Sequence, residues 1–125
     1  MPLKGRKILI VEDEYLIADD LAQLLQDAGA EVVGPAASLP QAMRLASDTE
    51  EIDAAALDIN LRGVEVFPLA DELAGRAVPM LFLTGYGHNH IPERFAHICR
   101  CEKPMEIGNV VRELHDMLEP EAAQA

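Results

Sequence analysis

The stretch KILIVEDEYLIADDLAQLLQDAG, residues 7–29, changes its period halfway along, and that change decides the fold. Lys7 to Val11 is a short continuous apolar run, the pattern of a strand buried on both faces. Beyond Glu12, Asp13 and Glu14, the residues Ile17, Leu21, Leu24, Leu25 and Ala28 fall on one helical face, which Gly29 stops. The unit is a strand followed by an amphipathic helix.

The same alternation repeats along the chain. EVVGPA, residues 31–36, reads as a strand, and Ser38 is a candidate N-cap for a helix carrying Leu39, Ala42, Met43 and Ala46. Ala54 to Leu57 reads as the third strand, a helix follows near Val66 to Ala74, and PMLFLT is a strand ending at Thr84. A short strand is expected near Ile98 to Cys101. Between them, Gly85, Gly87, Asn89 and Pro92 predict a long loop with room for only a short fourth helix, over about Pro92 to Ala96. After Pro104, a residue tolerated in a first helical turn, Ile107, Val110, Val111, Leu114, Met117 and Leu118 recur at three- and four-residue steps. About five strand–helix units imply an α/β fold, with right-handed crossovers and a doubly wound parallel sheet covered by helices on both faces. One domain over residues 1–125 is expected, with its core at about 7–118 and a flexible tail at 119–125. No output domain, internal repeat or linker is expected after it.

Composition narrows the function classes. Half of the 125 residues are hydrophobic and only 4% aromatic, so the core is built mainly from Leu, Ile, Val, Ala and Met. A net charge of −12 argues against nucleic acid and against anionic membranes, since both need clustered Lys and Arg. Much of that acidity is solvated helix surface, as at Asp19, Asp20, Asp27 and Glu113. The two cysteines, Cys99 and Cys101, are too close in the chain for an ordinary stapling disulfide, which fits a reducing cytoplasm. The apolar run ILIV is broken at once by EDE, far short of a signal sequence or a membrane span. A cytoplasmic protein is expected.

In an open parallel α/β sheet, ligands bind beyond the carboxyl ends of the strands. The residues at those ends are Glu12, Asp13 and Glu14 after the first strand, Asp58 and Asn60 after the third, Thr84 and Gly85 after the fourth, and Lys103 and Pro104 after the fifth. Asp58 stands out, because it ends an apolar run in AAALDINLRG. Carboxylates gathered on one rim raise one another's pKa values unless a cation answers them. Mg2+ does so with one or two carboxylates, a backbone carbonyl and retained water. Lys103 supplies a further positive charge, and Thr84 with the amides near Gly85 supplies donors for an anionic oxygen. Metal, lysine and hydroxyl around one carboxylate form a phosphoryl-transfer site with Asp58 as nucleophile. Taken singly, each residue has a plainer reading: Glu12 and Asp13 as helix N-terminal acids, Asp58 as a turn residue, Lys103 as a surface lysine.

ILIVEDE, ALDINLRG, FLTGYG and EKP, in that order, resemble the four signatures of response regulator receiver domains, over nearly the whole chain from Lys7 to about Leu118. The resemblance implies a flavodoxin-like sheet of strand order 2-1-3-4-5 with a reduced fourth helix. It implies that Asp58 accepts the phosphoryl group, that Asp13, Asp58 and the Asn60 carbonyl hold Mg2+, and that Glu12 supports the ion. It implies further that Thr84 contacts the phosphoryl oxygens, that Lys103 pairs with Asp58 or its phosphate, and that the Lys103–Pro104 peptide is cis. A sensor histidine kinase or a histidine phosphotransfer protein would be the donor. A downstream protein would read the change at the face of the last strand and its neighbouring helices, unless the chain serves as a phosphate sink. The protein would be a signalling module rather than an enzyme, and a monomer or weak dimer. Two positions depart from the common pattern. Arg100 stands where an aromatic residue usually follows the threonine, and FLTGYG resembles an alphaproteobacterial subgroup of single-domain receivers, in which Tyr86 would take the switching role.

Two other classes share part of this equipment. A haloacid-dehalogenase-type phosphohydrolase also uses aspartate, Mg2+, threonine and lysine, but resembles D-x-D after the first strand, where this chain has Glu12-Asp13-Glu14. An unphosphorylated receiver-like binding module would show no Mg2+ dependence. A second cluster, His88, His90, His97, Cys99 and Cys101, holds residue types that bind zinc or copper, and in an extended strand His97, Cys99 and Cys101 share a face. No pair at finger spacing accompanies them, and cysteines in a last strand are expected to be ordinary buried residues.

Overall fold

The computed structural model describes residues 2–85, 90–103 and 106–119. In chain order the elements are β1 (Lys7–Val11), α1 (Tyr15–Asp27), β2 (Glu31–Ala36), α2 (Leu39–Asp48), β3 (Ala54–Asp58), β4 (Asn60–Leu61), β5 (Val64–Glu65), α3 (Phe67–Gly75), β6 (Met80–Thr84), a 3-10 turn (Glu93–Phe95), β7 (Cys99–Glu102) and α4 (Ile107–Leu118). Five strands pair in parallel in the order β2-β1-β3-β6-β7, the flavodoxin-like doubly wound arrangement.

The expected order 2-1-3-4-5 needs correction in its numbering, because it left out the small antiparallel ribbon β4–β5. That ribbon exists because Arg62 and Gly63 both take positive φ, 54° and 91°, the combination whose twist suits a two-residue hairpin turn. A strand signal of two residues is too short to read from periodicity.

The sheet divides the core in two. Leu9, Val11, Ala55, Leu57, Met80 and Phe82 face one layer, which α2 and α3 close with Ala42, Ala46, Leu69, Ala70 and Leu73. Ile8, Ile10, Ala54, Ala56, Leu81 and Leu83 face the other, closed by Leu21 and Leu25 of α1 and Val110 and Leu114 of α4. Both sides of the strands are therefore apolar, as a covered parallel sheet requires. Of the α1 face read from the sequence, Leu21 and Leu25 are buried, whereas Leu24 is 37% exposed. Leu3 is fully buried in the second layer and donates its N–H to the Ala28 carbonyl at 2.9 Å.

Among the described residues between β6 and β7, the helical structure is the turn Glu93–Phe95. Phe95 fills the space, with its ring 5.7 Å from that of Phe67 and 5.8 Å from that of Phe82. Arg94 clamps the turn onto α3 through two hydrogen bonds to Asp71, at 2.8 and 3.0 Å.

Candidate functional site

Parallel neighbours end on the same edge of the sheet. Val11 lies opposite Leu57, Asp58 opposite Leu83, and Thr84 opposite Glu102, so the next residues of each strand share one rim. A bulge where β2 passes Gly34 brings the Ala36 carbonyl onto the Glu12 N–H at 2.9 Å and fixes the first of these ends. At Gly34, with φ at 99°, a Cβ would lie 2.9 Å from the Ile10 carbonyl oxygen, so only glycine fits there.

Glu12, Asp58 and Thr84 are the buried polar residues on this rim. Lys103 reaches across it and donates to Glu12 Oε2 at 2.9 Å and to Asp58 Oδ2 at 2.9 Å. Its backbone N–H donates to the Thr84 carbonyl at 2.7 Å, which sets where the side chain starts. The Asn60 N–H donates to Asp58 Oδ1 at 3.1 Å, and the Glu14 N–H donates to Glu12 Oε2 at 3.0 Å. Lys103, Asp58 and Glu12, far apart in sequence, thus share one hydrogen-bonded cluster.

The cluster is electrostatically loaded. Burial pushes the Glu12 carboxyl up to about 8, against the hydrogen bond from Lys103 that pulls it down. Burial likewise raises Asp58, with Glu12, Lys103 and the Asn60 amide opposing. Burial pulls the Lys103 ammonium down, but its hydrogen bonds to Glu12 and Asp58 outweigh that and hold it above the usual lysine range. One lysine does not fully answer the acids around it.

The residues fit a hard divalent cation. Glu12, Asp13 and Asp58 each offer a carboxylate oxygen, all within 4.8 Å of one another. Glu12 Oε1 is buried with no hydrogen bond of good geometry and has the Lys103 ammonium, 2.7 Å away, as its ion-pair partner. Three carboxylate oxygens this close together, answered by one lysine, form an all-oxygen donor set that suits Mg2+.

The remaining sequence candidates fare differently. Tyr86, His88 and the Lys103–Pro104 peptide lie outside the described residues, as does the tail from residue 120. Arg100 is exposed on the edge strand β7. The expectation that both cysteines are buried is corrected: Cys99 is exposed and Cys101 half-buried, because β7 has a sheet neighbour on one side only. Among the described residues, the single group gathered as closely as a metal site needs is Glu12, Asp13 and Asp58, so His90, His97, Cys99 and Cys101 form no such group. Arg62 was missed. Its Nε lies 3.8 Å from Asp13 Oδ2, and the only sequence signal was the dipeptide Arg62-Gly63 between Leu61 and Val64.

An open parallel sheet with an acidic pocket and a lysine at its carboxyl edge is the architecture of a phosphoryl-relay module. The chain belongs to the response regulator receiver domain family, whose profile matches residues 8–98. It is 33% identical over 90 residues to the transcriptional regulatory protein PdtaR of Mycobacterium tuberculosis, covering 71% of this chain and 43% of that one. It is 37% identical over 114 residues to the phyllosphere-induced regulator PhyR of Methylorubrum extorquens, covering 83% of this chain and 40% of that one. The chain thus spans about two fifths of the length of these relatives. Among solved structures, that of SdrG from Sphingomonas melonis Fr1 superposes with a TM-score of 0.78 at 36% identity, covering 94% of this chain and 98% of that one. The receiver domain of the hybrid histidine kinase CckA gives 0.73 at 26%, covering 90% and 98%. These likenesses are those of a receiver domain of the two-component kind, and they favour neither the phosphohydrolase nor the unphosphorylated module. Receiver domains are typically signalling modules rather than enzymes, generally bind Mg2+ at an acidic pocket, and interact with histidine kinases or phosphotransfer proteins. No described helix is long and apolar enough to cross a membrane.

Proposed function

We propose that Asp58 accepts a phosphoryl group from a histidine kinase or histidine phosphotransfer protein in a Mg2+-dependent reaction, and that the chain signals in the cytoplasm by binding another protein. The observation that carries this reading is the Lys103 ammonium held between Asp58 and Glu12, each at 2.9 Å. Glu12, Asp13, Asp58 and the Asn60 carbonyl are the residues that would hold Mg2+. When bound, the ion would neutralise charge on the phosphoryl oxygens and draw the acids together.

The chain's own residues do the rest. The rigid strand β3 holds Asp58 at the rim, and the Asn60 N–H fixes one carboxylate oxygen. Lys103 opposes the burial that raises the Asp58 carboxyl and pairs with the added charge once the phosphoryl group arrives. Thr84 ends the adjacent strand and offers its hydroxyl to a phosphoryl oxygen. SdrG has also been described in a BeF3-activated conformation, with a TM-score of 0.72 to this chain at 38% identity. Beryllofluoride stands in for a phosphoryl group on a carboxylate, which supports an aspartyl-phosphate state on this fold too.

Phosphorylation adds charge at the rim and shifts a two-state equilibrium at the β7 and α4 face. Arg100 lies on β7 in register with Phe82, on the side of the sheet away from α4, and Tyr86 takes the switching role of the usual aromatic residue. The likeness to PhyR and SdrG supports reading the chain as one of the alphaproteobacterial receiver subgroup.

Intact-mass measurement after incubation with Mg2+ and acetyl phosphate tests the reading. Wild type should gain one phosphoryl group and Asp58→Asn none. Labelling of the variant at the wild-type level would sink it.

A further inference from the structure

We propose that Arg62 is a second cation of this site, paired with Asp13 until a divalent ion takes that carboxylate, and then free to hold the incoming phosphoryl group. The inference rests on the reading of Asp58 as acceptor.

The backbone at Arg62 is the first observation. Arg62 has φ at 54° and occupies the first position of the two-residue turn joining β4 to β5, where Asn, Asp or Gly sit with less strain. Packing does not call for an arginine there, since the side chain is 81% exposed. The turn's own bonds do not call for it either: the Gly63 N–H donates to Asn60 Oδ1 at 2.6 Å whatever side chain position 62 carries. The arginine thus carries that strain with neither packing nor the turn's own bonds to account for it.

Placement is the second observation. The Arg62 Nε lies 3.8 Å from Asp13 Oδ2, and the side chain lines a cavity of about 350 Å³ together with Glu12, Asp13 and Tyr15. Of the acid cluster, Glu12 and Asp13 line that cavity, whereas Lys103 does not and takes Glu12 and Asp58 instead. The two cations therefore divide the acids between them, and among the described residues Arg62 is the cation on Asp13. Once Asp13 turns its charge to a metal ion, the guanidinium loses its ion-pair partner, while its donors, none of which reaches Asp13 within hydrogen-bond distance, stay open to an anion. Its planar fork matches two oxygens of a phosphoryl group.

With acetyl phosphate as donor, a bond forms from an Asp58 carboxylate oxygen to phosphorus while the bond from phosphorus to the acetate oxygen breaks. Acetate leaves with the electron pair, the non-bridging oxygens keep their charge, and Arg62 meets that charge from the solvent side.

The test compares wild type, Arg62→Asn and Arg94→Gln at low ionic strength, where exposed pairs are least screened. Arg94→Gln removes the same charge from the turn that clamps α3, away from the rim. Mg2+ affinity is read by calorimetry on unphosphorylated protein, phosphorylation by intact mass at saturating Mg2+, and thermal stability by melting. Arg62→Asn should bind Mg2+ about threefold tighter, having lost a competitor for Asp13. It should accept the phosphoryl group about tenfold more slowly. It should also melt about 2 °C higher, because asparagine tolerates the left-handed turn position. Arg94→Gln should match wild type in Mg2+ affinity and rate. Unchanged Mg2+ affinity or an unchanged rate in Arg62→Asn would overturn the proposal, as would an equal slowing in Arg94→Gln. If wild type gains no phosphoryl group, the acceptor reading fails and the donor contact with it, while the Mg2+ titration still decides whether Arg62 competes for Asp13.

Discussion

Strand β6 contributes to two clusters that are built on opposite physical grounds. Toward its carboxyl end, Thr84 joins the rim where Lys103 bridges Glu12 and Asp58. Two residues earlier, Phe82 joins Phe67 and Phe95, with ring centroids 5.7 to 6.1 Å apart. Each contact in the aromatic cluster is favourable by itself, so the cluster stabilises the fold and has nothing to respond to. In the ionic cluster, burial opposes the charge on both carboxylates, and the surrounding fold holds them there regardless. The first cluster makes a rigid floor. The second is loaded, and therefore sensitive to a proton, a metal ion or a phosphoryl group.

The largest expected effect breaks the floor. Phe82→Ala should destabilise by about 4 kcal/mol, read from urea unfolding, because it removes a fully buried ring and leaves a cavity between two others. Such a loss approaches the whole stability of a small domain. Phe95→Ala should cost about 3 kcal/mol, although Phe95 sits in a single turn rather than a regular helix. A cost below 1 kcal/mol for Phe95→Ala would mean that the reduced helix is decoration and not part of the core.

The next effect tests the loaded cluster by pH. Glu12 has a folded pKa of about 8, above the usual 4.5, so the folded state binds its proton more tightly than the unfolded chain. The associated stability is complete below about pH 4.5 and is lost as pH rises toward 8. Asp58 shifts in the same direction and adds to the decline. Metal-free protein should therefore lose on the order of 3 kcal/mol between pH 5 and 8 relative to Glu12→Gln, which has no proton to lose there. Saturating Mg2+ should flatten the wild-type curve, since the ion replaces the proton as the answering charge. Parallel curves for wild type and Glu12→Gln, both without metal, would show that the rim is not loaded.

A smaller effect follows for the acceptor itself. Asp58→Asn should raise metal-free stability at pH 8 by about 1 kcal/mol, since the amide carries no charge disfavoured by burial. The same variant should lose most of the stabilisation that Mg2+ confers on wild type. Thermal melts with and without Mg2+ measure both quantities.

How much of this was readable in the sequence follows the same division. The floor's strands and helices were legible because apolar period is a local property, and residues 7–29 show it in one stretch. The rim residues were legible because strand ends in a parallel sheet share an edge, so Asp58, Thr84 and Lys103 could be gathered without coordinates. Their distances were not, nor was the raised carboxyl of Glu12, which depends on burial by segments distant in the chain. Phe95 was missed because a lone aromatic among Gly, Asn and Pro carries no periodic signal, and its place is set by Phe67 and Phe82. Leu3 was missed for a similar reason, standing alone before a basic stretch. The cysteines were misjudged because exposure on β7 depends on which strand ends the sheet. Arg62 went unread because a two-residue ribbon is below the length at which a strand pattern can be seen.

An effect no larger than that of Asp58→Asn serves as the reference for the other three, because Ser38 belongs to neither cluster. Its hydroxyl accepts from the Gln41 N–H at 3.3 Å, and the Gln41 side-chain oxygen accepts from the Ala37 N–H at 3.0 Å, a reciprocal cap on the first turn of α2. Ser38→Ala should cost about 1 kcal/mol, the typical loss for an N-cap hydroxyl. That is the size of the gain expected from Asp58→Asn, with the opposite sign. The loss should be equal with and without Mg2+, so the stabilisation conferred by the ion stays at its wild-type value. If the Mg2+ increment fell in Ser38→Ala as it does in Asp58→Asn, the increment would be tracking global stability, and the contrast between an inert floor and a responsive rim would collapse.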